Sequence, residues 1–326
     1  MKRLYPVFIA VPLFVAGYGQ ETAPLKLVQT IPLAGVKGRI DHMAVDVQAK
    51  RLFVAALGND TVEVLDLQTG KRLHTIAGLQ EPQGIRYVPE IDRIFVASGG
   101  DGTCKIFDGR SYQPAGRVNF SSDADNVRYD PVLTRIYVGY GGGALGIVDA
   151  AKGTLLGEIK LEGHPESFQL ETSGRKIFVN VPTRQHIAVV DREKHAVVAK
   201  WPVSAQANFP MALDERNQRL FIGCRHPAKL LVLDAQSGKM ISELTIPGDT
   251  DDLFYDASRR RIYVSCGEGF LAVLEQKDAN HYQPSGKIPT APGARTSLFV
   301  PEMSHLYLAV PRRANQEAEI RVYNAK

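Results

Sequence analysis

Short apolar runs recur along this chain, and none shows the three-to-four spacing of an amphipathic helix. One signature returns seven times: a basic residue, an aliphatic, an aromatic and an aliphatic. It reads Arg51-Leu-Phe-Val, Arg93-Ile-Phe-Val, Arg135-Ile-Tyr-Val, Lys176-Ile-Phe-Val, Arg219-Leu-Phe-Ile, Arg261-Ile-Tyr-Val and, more loosely, His305-Leu-Tyr-Leu. Successive copies lie 42, 42, 41, 43, 42 and 44 residues apart. A second run follows each marker: VEVLD, CKIFD, LGIVD, IAVVD, LLVLD, LAVLE and IRVYN. Turns such as LQTGK or AQSGK come next, and then another short apolar run. Four short strands in a period near 42 predict a four-stranded blade, repeated around an axis.

The marker strands are apolar on both faces, as in RIYV. That suits sheets stacked face to face, where a middle strand never meets water. An open solenoid is the competing architecture, and the chain ends argue against it. The last repeat stops after its third strand, AEIRVYNAK, while PLKLVQTIPLAGV near the start reads as a fourth strand with nothing before it. The N-terminal strand is therefore expected to complete the last blade, closing an all-β seven-bladed β-propeller and hiding its sheet edges. Residues 20–326 then form one domain.

The repeated [RK]-[LI]-[FY]-V, followed by V-x-V-x-D and a T-G turn, resembles the YVTN-type repeat of YncE-like β-propellers. The resemblance covers about Leu25 to Lys326. It implies the fold strongly and the activity weakly, because this architecture hosts many functions. It also implies an exported or surface protein. Some members are bound to partners, and at least one binds DNA.

Seven internal copies can be compared with one another. The connections DVQAKR, DPVLTR, DERNQR and DASRRR join first to second strands, and DLQTGK, DAAKGT and DAQSGK join third to fourth. All are ordinary turns, with Asp accepting backbone bonds and Gly supplying positive φ. One end of the ring is thus repetitive. At the other end the copies diverge. Ten residues before each marker stand Asp41, Gln83, Asp125, Glu166, Phe209, Asp251 and Arg295. One position on are His42, Gly84, Asn126, Ser167, Pro210, Asp252 and Thr296, with Asp123, His164, Asn208 and Asp249 nearby. Loops that vary on a rigid scaffold carry function.

This pattern predicts a ligand site at the channel mouth, built from Asp41, His42, Gln83, Asp125, Asn126, Glu166, Asn208, Asp251, Asp252 and Arg295. The preferred reading is a binding or scaffold protein that holds a small polar ligand or a partner's segment there. The alternative is a metal-dependent hydrolase, lactonase-like, or a lyase. Asp41, Asp125, Glu166 and Asp251 would hold calcium or magnesium through oxygen, and a histidine-rich subset would admit zinc. His42 or His164 would move the proton. A purely structural reading stands beside these. In it Arg295 neutralises Asp251 and Asp252, and Arg86 and Arg128 pair with Asp125, because buried charges need partners. Arg225, Arg312, Arg313 and His226 read as a modest basic rim. His186 and His195 read as exposed turn residues.

The formal charge of +4 gives no footprint for nucleic acid, and no basic track with interleaved aromatics appears. The first residues, MKRLYPVFIAVPLFVAGYGQ, read as a secretory leader cleaved near Gly19. Their apolar run of about 12 residues, broken by Pro6 and Pro12, is too short to span a bilayer. The expectation is a periplasmic or secreted protein. Cys104, Cys224 and Cys266 have neither zinc spacing nor a C-x-x-C-H for c-type haem, and read as buried free thiols.

Overall fold

The structure, a computed structural model, describes residues 23–314 and 316–326. The expected leader lies outside the described residues. Seven four-stranded antiparallel sheets are arranged as blades. Blade one comprises Met43–Asp46, Arg51–Ala56, Thr61–Asp66 and Lys71–Ile76, from the axis outwards. Five further blades repeat this order. The seventh takes Ser297–Val300, His305–Val310 and Glu319–Ala325 from the C-terminus, and Leu25–Pro32 from the N-terminus. Leu25 pairs with Ala325 and Pro32 with Glu319, so both chain ends share one sheet. The innermost strands of neighbouring blades touch, and those of blades seven and one touch as well, which closes the ring.

Burial explains the strand pattern. The marker aromatics Phe53, Phe95, Tyr137, Phe178, Phe221, Tyr263 and Tyr307 are all buried, each in the middle of a second strand between two blades. The outermost strands are mostly exposed or half-buried instead. Ala196–Pro202 runs exposed and half-buried by turns, as expected for a sheet with one wet face. The basic residue of the marker closes the repetitive end. Arg51 Nη2 donates to Asp46 Oδ2 at 2.7 Å, and its guanidinium lies 5.5 Å from the Phe53 ring centre. Gly238 of the AQSGK turn has φ +74°, and a Cβ there would run into the Trp201 ring.

The individual end is built differently. Glu81, Asp123, Ala207 and Asp249 each take a left-handed conformation, two residues before the ring position of blades two, three, five and six. Immediately after them the pairing slips: between Pro82 and Ile85, Ala124 and Val127, Asn208 and Met211, and Thr250 and Asp252. Bulges of this kind bend a strand and re-aim its side chains. Gln83, Asp125, Phe209 and Asp251 are the displaced residues. Gly84 sits where a Cβ would lie 2.0 Å from the carbonyl oxygen of Asp125, so the close approach of blades two and three there requires glycine.

Candidate functional site

The bulges bring the ring residues together. Asp41, His42, Asp125, Asn126, Glu166 and Asp251 surround one small space on the axis, with Arg39 and Phe209. About 20 Å³ is free between them, room for roughly one water. Asp41 is 1% exposed and Asp125 7%, so these carboxylates are inside the protein, not on its outer wall.

Cations engage most of the acids. Arg39 Nη2 stands 2.6 Å from Asp41 Oδ2, and His42 Nε2 is 3.7 Å from Asp41 Oδ1. His42 Nδ1 faces Asp252 Oδ1 at 3.6 Å, and the other Asp252 oxygen accepts the Ser297 backbone N–H at 2.8 Å. His164 Nε2 faces Asp125 Oδ2 at 3.8 Å, while its Nδ1 donates to the Gly141 carbonyl at 2.7 Å. Arg225 Nη2 reaches Asp251 Oδ1 at 2.5 Å, and Arg295 Nε reaches Asp251 Oδ2 at 3.1 Å. Arg295 Nη1 also donates to Asp249 at 2.7 Å. Glu166 differs: no ion pair or side-chain hydrogen bond reaches its carboxyl among the described residues.

The electrostatics follow from this packing. Burial raises the Asp41 carboxyl above the ordinary range, and His42 and Arg39 only partly offset it. Burial also raises Asp251 against the pull of Arg225 and Arg295. Glu166 is pushed up to about 8 by burial and by repulsion from Asp125. Burial opposes charge on His42, yet the flanking carboxylates of Asp252 and Asp41 outweigh it and lift the imidazole to about 10. His164 rises for the same reason, through Asp125, the Gly141 carbonyl and Asp123. Both histidines are therefore cations at neutral pH.

Several expectations need correction. Arg295 neutralises Asp251 and Asp249, not Asp252, because the bulge turns Asp252 towards His42 and Ser297. Arg128 does not pair with Asp125. It donates to the carbonyls of Phe168 and Val127 and to Ser167 Oγ. Among the described residues Arg86 forms no ion pair either. His186 is 8% exposed and starts a strand of blade four, its backbone carbonyl accepting from Asn208 of blade five, whereas His195 is exposed as expected. Gln83 reaches the rim, where its amide donates to Asp123. Asn208 is fully buried in the channel wall, bonded to Asn180 and to the His186 carbonyl. Of the basic rim, Arg225 turns inward and lies 3.9 Å over Phe209, and Arg312 pairs with Glu317. Among the described residues no three His, Cys, Asp or Glu side chains are grouped to hold a metal ion.

Sequence reasoning missed Arg39. It stands two residues before Asp41, and the fields of Asp41, Asp251, Asp125 and Glu166 all act on it. It also missed where the free volume lies. Beneath the mouth the channel widens to a cavity of about 290 Å³. That cavity shares Met43, Arg86, Leu298 and Phe299 with a hollow of about 520 Å³ at the repetitive end.

These features define a seven-bladed β-propeller with a charged network at one mouth of its channel. Solved structures share the fold. A chain of a mitotic checkpoint complex aligns with TM-score 0.78 at 12% identity, covering 99% of this chain and 98% of its own. Kuenenia stuttgartiensis hydrazine synthase aligns with TM-score 0.75 at 14% identity, covering 88% of this chain and 97% of its own. No protein-family model and no curated protein matches the sequence. Among the described residues no helix is long and apolar enough to cross a membrane.

Proposed function

We propose that this chain is an exported binding propeller, akin to the YVTN-type repeat proteins, with no chemistry of its own. It holds a partner's segment or a small polar ligand on the individual rim of its channel. The supporting observation is the engagement of the acids: Arg39 with Asp41, His164 with Asp125, and Arg225 and Arg295 with Asp251. A carboxylate whose oxygens are already held by cations is not free to serve a substrate as base or nucleophile. A fixed array of alternating charges is, however, a pre-organised recognition surface. Because the space between these side chains takes about one water, the bound group rests on the rim.

One observation favours a second reading. Glu166 is half-buried with no ion-pair partner among the described residues, and repulsion from Asp125 and Asp251 acts on it. A divalent metal there would relieve the repulsion and supply Lewis acidity for a lactonase-like hydrolysis. Elemental analysis of the purified protein, with and without chelator, separates the two. The binding reading expects no stoichiometric metal and the same melting temperature in chelator. Stoichiometric metal, lost together with hydrolysis on Glu166→Ala or Asp251→Ala, would establish the enzyme instead.

A further inference from the structure

The channel below the mouth has two unlike halves. Three residues after each ring position stand Ala44, Arg86, Arg128, Gln169, Ala212, Phe254 and Leu298. These are matched positions on the seven innermost strands, at one height along the axis. Blades two, three and four contribute Arg86, Arg128 and Gln169. Blades six and seven, across the ring, contribute Phe254 and Leu298. Arg86, Arg128, Gln169, Phe254, Leu298 and Phe299 all line the cavity of about 290 Å³.

The cationic half lacks counter-charge. Neither Arg86 nor Arg128 has a carboxylate within 4 Å among the described residues. Arg128 is anchored through carbonyl oxygens and Ser167 Oγ, which fixes its plane without neutralising it. Arg86 makes no side-chain hydrogen bond among the described residues. It is enclosed by the channel yet open to the cavity's water. The two guanidiniums sit on adjacent strands and repel one another. The acids whose fields reach them are otherwise engaged or remote from contact. Asp252 is held by His42 and Ser297, Asp125 faces His164, and Glu90 forms no ion pair among the described residues. Two uncompensated arginines in one cavity call for an anion, and guanidinium forks match carboxylate oxygens in pairs. The opposite wall is apolar at Phe254, Leu298 and Phe299, beside an Asp252 carboxylate already held by His42 and Ser297, and it calls for an apolar body on the same molecule.

We infer that the channel binds a small amphiphilic carboxylate, its carboxyl on Arg86 and Arg128 and its apolar body against Phe254, Leu298 and Phe299. The ligand enters from the repetitive end, through the hollow that shares Arg86 and Leu298, because the other mouth is filled by the charged network. This site adjoins the rim through His42 and Asp252, which also line the cavity, but its carboxylate contacts on Arg86 and Arg128 do not depend on the rim reading.

Isothermal titration calorimetry on the full chain tests this, with phenylacetate, hexanoate and 4-methylpentanoate as probes. Phenylacetamide, acetate and inorganic phosphate serve as controls. At least one of the three acids is expected to bind saturably, with one site per chain. It should bind tenfold or more tightly than its neutral amide and than acetate or phosphate. Arg86→Gln, whose side chain has no bond to lose, should weaken that acid at least tenfold, and Arg86→Lys less. Asp251→Asn at the rim should leave it within twofold, so failure here and failure of the rim reading are told apart. The inference is overturned if no acid binds saturably. It is equally overturned if acid and amide bind alike, if phosphate or acetate matches the acids, or if a folded Arg86→Gln protein binds as well as the parent.

Discussion

Arg225 Nη2 lies 2.5 Å from Asp251 Oδ1 while the same guanidinium stacks 3.9 Å above the Phe209 ring. One side chain from blade five thus ties together the bulged ring residues of blades five and six. Asp251 is nearly buried and keeps Arg295 as a second partner. Arg225→Met is therefore expected to cost about 2 kcal/mol, below the range for a buried acid left wholly alone. In an Asp251→Asn background the same change should cost clearly less. Chemical denaturation of the four proteins of the cycle measures the coupling.

Stability should fall on the alkaline side. Glu166 binds its proton more tightly folded than unfolded, with a folded value of about 8. Its contribution is full below the ordinary glutamate range, near pH 4.5, and is lost as pH rises through about 8. His42, raised from 6.5 to about 10, adds a second loss across that higher window. Calorimetric melting from pH 5 to 10 should show a falling melting temperature above neutrality. Glu166→Gln should flatten the part between pH 5 and 8 and raise stability at pH 8.5. His42→Gln should flatten the part above pH 6.5 instead.

The seam of the ring is one strand from each chain end. Ile31 is fully buried in the N-terminal strand and Leu25 nearly so. Ile31→Ala is expected to cost about 2–5 kcal/mol. Removing Leu25–Pro32 would bare the edge of Glu319–Ala325 and invite strand pairing between molecules. Light scattering after size-exclusion chromatography should show self-association of the shortened chain and none of the Ile31→Ala protein.

All three cysteines are free and buried, and burial pushes each thiol up to about 12. A thiol reagent at pH 8 should find no reactive sulfur in the native protein and three in denaturant. Fast labelling of the native protein would show that blades two, five and six open locally.

The blades were legible in the sequence because every copy solves the same packing problem. Phe53 to Val54 and Tyr307 to Leu308 fill the same layer, so the apolar signature must recur. Closure was legible for a related reason, since a lone fourth strand at one end and a missing one at the other imply each other. The convergence of Asp41, Asp125, Glu166 and Asp251 was legible from divergence among the copies. The pairings were not. Left-handed Asp123 and Asp249 shift the register by a residue, and a bulge redirects a side chain without changing the residue types nearby. That is why Arg295 meets Asp249 where Asp252 was expected. Arg39 was within reach: it occupies the same offset as Asp123, His164 and Asp249, and extending the comparison of copies two residues earlier finds it. The arginine half of the channel was visible as residue types at matched positions, but its lack of carboxylate partners needed coordinates.

Site-directed photo-crosslinking in the producing cells shows whether the individual rim is the recognition surface. A benzophenone side chain is placed at Asp123, exposed on that rim, and in a second protein at Gln68, exposed in a turn of the repetitive end. The account predicts a discrete crosslinked species from position 123 that is lost on Arg39→Ala, and none from position 68. The same species from position 68, or none from position 123, would contradict it.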